Sequence, residues 1–114
     1  MHRVSEEEFD ELLGDALDAL PERFASALDN VALFVEDVDP ANPRRRGLYS
    51  GVPLTKRGHA YKGHLPDRIT IYRQPIMATS SDREGLETTI RQVVLHEIAH
   101  HFGISDSQLR TMGY

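Results

Sequence analysis

The segment LETTIRQVVLHEIAHHF, residues 86–102, constrains this chain more than any other. Leu86, Ile90, Val93, Val94, Leu95, Ile98, Ala99 and Phe102 spread apolar groups around most of a helix, which marks a helix that other elements must cover. Gly103 follows as a stop, because glycine readily takes the left-handed conformation at a helix end. Within this helix, His96, Glu97 and His100 carry a desolvation cost unless their polar atoms are met. A chain of 114 residues with 39% hydrophobic content builds one modest core, so the helix is expected at its centre.

The remaining segments supply what covers it. Ser5 and Glu8 form a capping-box pattern, followed by Phe9, Leu12, Leu13, Ala16, Leu17 and Leu20 at helical spacing up to Pro21. A second short helix is expected from Pro21 to about Leu28. The apolar run Val31–Val35 reads as a buried strand, and 68–73 alternates as a half-buried strand. GLYSGVPL (47–54) reads as a short strand and a glycine turn, and 55–67 as polar loop. Arg44–Arg46 is the only basic run, read as part of a solvated loop. Beyond Pro75 a helical turn is expected near 76–79, then a linker over 80–85. Ser105 with Gln108 opens a short final helix. The fold class is therefore α+β: one domain over 1–114, with a sheet of about three strands packed on helices, one of them long.

The long helix carries the chemistry. His96 and His100 are four residues apart, roughly 40° around the axis and one turn along it, so both imidazoles can converge on one ion. Glu97 lies roughly 100° from His96, well placed as general base and poorly placed as a further ligand. His101 is displaced by a similar angle from His100 and reads as a supporting polar residue. The pattern extends to H-E-x-x-H-x-x-G-x-x-D over 96–106. A sharp turn at Gly103 would bring Asp106 back as a third ligand and leave a fourth position for water. A carboxylate at 106 also suits the first turn of the final helix, and the two roles are compatible. Zinc is the favoured ion, although histidine and aspartate accept other divalent metals.

This motif resembles the extended zinc signature of metzincin-type metallopeptidases, in the variant with aspartate for the third histidine, as in snapalysin. The whole chain resembles a family of minimal, single-domain, zincin-like bacterial metallopeptidases, through ALDALPERF (16–24), NVALFVED (30–37), GLYSGVPL (47–54), LPDRITIYR (65–73) and the 96–106 motif. The resemblance implies a minimal zincin-like fold, zinc at His96, His100 and Asp106, and Glu97 as catalytic base. Metzincins also carry a methionine turn with a tyrosine two residues on, a relation that Met112 and Tyr114 repeat; Met112 equally suits the core.

The implied activity is zinc-dependent peptide hydrolysis. A peptide or protein substrate could add to an edge strand at 47–51 or 68–73. Tyr114, His59, His64 and Arg73 are the candidates for a second oxyanion donor. The rival reading is a metal-binding regulatory or interaction module serving a dedicated protein partner. A formal net charge of −5 argues against nucleic acid, and no apolar run has the length of a membrane span. The absence of cysteine leaves only histidine and carboxylate as ligands, and the N-terminus lacks a signal-peptide pattern, which together suggest the cytoplasm.

Overall fold

The computed structural model describes residues 1–51 and 67–114. Helix α1 (Glu6–Asp18) buries Phe9, Leu12, Leu13 and Ala16. Ser5 caps it by accepting from the Glu8 N–H at 3.1 Å. Only this half of the expected capping box forms, because the Glu8 carboxylate reaches Arg83 instead. The helix closes at Ala19, before Pro21, where two carbonyls of its last turn accept the cap N–H. Helix α2 (Glu22–Ala25) tightens into a 3-10 turn over Ser26–Asn30.

Strands β1 (Val31–Glu36), β2 (Gly47–Ser50) and β3 (Asp67–Tyr72) form one mixed sheet in the order β1-β3-β2. β1 runs parallel to β3 and β2 antiparallel to it. Two expectations change here. β1 is an edge strand with no fully buried residue, and its Phe34 is 40% exposed beneath the Arg68 guanidinium. Within the segment 68–73, residues 68–72 belong to the central strand and Arg73 opens a helix, so it has no free edge to offer a substrate. Of 47–54, residues 52–54 lie outside the described residues, as does the loop read over 55–66.

The open edge of β2 has a definite polarity. The Tyr72 N–H donates to the Arg46 carbonyl at 3.0 Å, which makes 46/72, 48/70 and 50/68 the hydrogen-bonded pairs. Gly47 and Tyr49 therefore turn their backbone groups away from β3.

Helix α3 (Arg73–Ala78) begins directly after β3, with Pro75 in its first turn, where an N–H has no intrahelical partner to lose. Helix α4 (Arg83–His101) starts earlier than the apolar pattern suggests, because Asp82 caps it by accepting from the Gly85 N–H at 2.7 Å. Helix α5 (Asp106–Thr111) opens on the full Ser105–Gln108 capping box. No helix among the described residues is long and apolar enough to cross a membrane.

The helix α4 is not apolar all round. Its buried residues Leu86, Ile90, Val93, Val94, Glu97, Ile98 and His101 form one stripe at 3.6-residue spacing, and Ala99 is buried on the other side near the helix end. That stripe packs on α1 and on the inner sheet residues Ile69 and Ile71, both at most 1% exposed. Glu97 and His101 thus occupy core positions, while His96 and His100 sit on the flank.

Candidate metal centre and cleft

The end of α4 shapes the site. Gly103 has φ +74°, and its N–H donates to the His100 carbonyl at 3.0 Å while the Ile104 N–H donates to the Ala99 carbonyl at 2.9 Å. This is the six-residue helix-ending turn that requires a left-handed residue. It reverses the chain, so that Asp106 at the head of α5 returns to the face of α4 it had left. The Asp106 Oδ1 lies 3.0 Å from His96 Nδ1 and 4.0 Å from His100 Nε2.

The two imidazoles stack edge to face with centroids 4.6 Å apart, each side chain 38% exposed. Glu97 comes closer than the helical offset suggests. Its Oε1 is 3.3 Å from His100 Nδ1 and its Oε2 is 3.9 Å from His96 Nε2. A long side chain with two oxygens compensates for the angle. His96, Glu97 and His100 each offer a ligand atom within 4.8 Å of the others, and could hold a metal ion. Tetrahedral zinc with bonds of 2.0–2.1 Å needs donors about 3.3 Å apart, a spacing met by Glu97 Oε1 and His100 Nδ1, whereas Asp106 approaches the opposite nitrogen of each ring and stands outside the group of three.

Glu97 is 6% exposed, and burial raises its proton affinity above the ordinary carboxylate value. The His100 and His96 imidazoles, a hydrogen bond with His100 and the Tyr49 backbone N–H pull it partly back. Between the ordinary and the raised value, the folded metal-free chain binds more protons at Glu97 than the unfolded chain, so stability falls as pH rises through that window. The metal-free Glu97→Gln variant should therefore gain stability over wild type as pH rises across it, and lose that gain below it. Urea midpoints at a series of pH values test this; a difference independent of pH would contradict it.

A cleft of about 280 Å³ lies between β2 and α4, lined by Arg46, Gly47, Gln92, Val93, His96 and Glu97. A second hollow of about 250 Å³ adjoins it at His96 and Gln92 and continues past Asp106 to Arg110 and Tyr114. Arg46 is therefore part of the cleft wall, although its basic run reads as solvated loop. Gly47 also carries no signal in the sequence beyond a strand start. A Cβ there would lie 2.8 Å from Val93 Cγ1 and 2.9 Å from Glu97 Cγ. Gly47→Ala is expected to push β2 off α4 and cost about 1–3 kcal/mol, as overpacking does. An unchanged urea midpoint would show that the strand yields freely.

The other expected residues are placed as follows. His101 is 2% exposed, with Nδ1 2.6 Å from Asp67 Oδ2, consistent with a supporting role. Met112 closes α5 and packs against the core. The TMGY tail is a second helix-ending turn, with the Tyr114 N–H on the Leu109 carbonyl at 3.1 Å. It sets the Tyr114 ring against Phe24 and on the rim of the second hollow, its hydroxyl taking a hydrogen bond from Arg23. Arg73 pairs with Asp37 at 2.9 Å and lines neither hollow. His59 and His64 lie outside the described residues.

Comparison with known proteins gives this arrangement its class. A family model described as zincin-like metallopeptidase matches residues 28–114, and the chain belongs to that family. A conserved hypothetical protein from T. thermophilus shares the fold, with a TM-score of 0.57 and 24% sequence identity over 96% of this chain and 97% of that one. No curated protein matches the chain.

Proposed function

We propose that the chain is a zinc-dependent peptidase, with the ion held by His96, His100 and Asp106 and with Glu97 as general base. The reading is of the metzincin type, with aspartate as the third ligand. One observation carries it: a desolvated carboxylate, Glu97, faces two imidazoles on the wall of an open cleft, in a chain of the zincin-like family. Bound there, zinc would supply Lewis acidity, acidifying a water molecule and polarising a carbonyl.

Glu97 takes the water's proton and passes it to the leaving amine. Burial raises its proton affinity, which favours its taking up that proton, and the Tyr49 N–H faces its carboxylate. An extended peptide fits along the open edge of β2, where Gly47 offers backbone groups directly beside His96 and Glu97. Of the oxyanion candidates, Tyr114 has the best support, because its hydroxyl accepts from Arg23 and keeps its own proton to donate.

The test is cleavage profiling of a broad peptide mixture by zinc-loaded, chelator-treated and zinc-restored protein. Products should appear, vanish and return in that order. Stoichiometric zinc without any product would favour the metal-binding interaction module instead.

A further inference from the structure

One buried polar cluster takes no part in this mechanism. Asp67, the first residue of β3, is 2% exposed. Its Oδ2 accepts from the Tyr49 hydroxyl at 2.6 Å and lies 2.6 Å from His101 Nδ1. An ionised carboxylate only accepts, so the proton between them belongs to Nδ1. A carboxylate this deep is costly unless such donors meet it. Here two elements supply them: β2 through Tyr49 and α4 through His101. Gly51 closes the other side, with φ +155° and space for no Cβ, which would sit 2.4 Å from Asp67 Oδ1.

The same residue of β2 reaches the reactive carboxylate. The Tyr49 side chain ends on Asp67, and its backbone N–H faces the Glu97 carboxylate. His101 lies one turn beyond Glu97 on the same buried stripe of α4. The strand and the helix that meet at Glu97, where a Gly47 Cβ would lie 2.9 Å from Glu97 Cγ, are thus both tied to Asp67, one through Tyr49 and one through His101.

We propose that Asp67 is a positioning residue: one carboxylate oxygen, shared by Tyr49 and His101, sets the separation of β2 from α4 and so aims Glu97 into the cleft. The inference rests on the reading of Glu97 as the base. It explains why His101 follows His100 without joining the flank that faces the ion. It also explains why an aspartate opens an otherwise alternating strand.

The test compares Asp67→Asn, Tyr49→Phe and the double variant with wild type, using zinc as the only added ligand. Amide hydrogen exchange at Tyr49 should accelerate about 10–100-fold in each variant, while protection at Ile71 and Val94 stays as in wild type. Each variant should keep one zinc per chain. Against a peptide that wild type cleaves, kcat should fall about 10–100-fold, the range for outer partners of a metal site, with KM changed less than about twofold. The double variant should be no slower than the worse single one, because both act through one link. A uniform loss of protection across the core would reduce Asp67 to a structural role, and so would unchanged kcat. If Asp67→Asn fails to fold, Tyr49→Phe alone decides, since it removes one hydroxyl. If zinc-loaded wild type cleaves nothing, the peptidase reading fails, and the exchange measurement still decides whether the link exists.

Discussion

His96→Ala should strip zinc from the purified protein while leaving its fold intact. The side chain is 38% exposed on the flank of α4, so its removal opens no cavity in the core. Losing a proposed ligand should weaken zinc binding by more than about 100-fold, since losing an outer partner alone costs about 10–100-fold. Asp106→Ala should show the same direction and is the sharper case, because Asp106 also opens α5. The Ser105–Gln108 box caps that helix without it, so the helix should survive the change. Zinc content by metal analysis, beside circular dichroism, separates the two roles. Unchanged zinc in Asp106→Ala would return that residue to the helix terminus.

In Glu97→Gln, turnover should collapse while zinc stays. Glutamine keeps the shape of the side chain and can still accept from the Tyr49 N–H, but it cannot take up a proton from water. Loss of a general base costs about 10²–10⁴-fold in kcat. KM should hardly move, because the lost contact operates in the transition state. The same variant settles a question of geometry. Glu97 lies 3.3 Å and 3.9 Å from the two imidazoles, close enough to bind an ion directly. A ligand would take zinc with it when replaced, whereas a base would not.

The features legible in the sequence are those set by local chemistry. The 3.6-residue pattern, the left-handed turn at Gly103 and the Ser105–Gln108 box all turn on residues close in the chain, and the turn and the box have their expected geometry here. The features that are not legible depend on partners far apart in sequence. His101 repeats the spacing of Ile90, Val94 and Glu97, a signal of a buried polar residue in need of an acceptor. Nothing local identifies that acceptor as Asp67, 34 residues away. The edge and centre of the sheet exchange places for the same reason, because strand order is decided by pairing rather than by the composition of 31–35 or 68–73. Gly47 and Arg46 gain their meaning only where β2 meets α4.

The central claim joins metal to catalysis, and one titration tests both. Metal-free protein is mixed with a cleavable peptide, and zinc is added in fractions of an equivalent while product formation is followed. The account predicts a rate that rises linearly and breaks at one equivalent per chain. Binding of one equivalent with no product at any point, or product that forms without zinc, would contradict it.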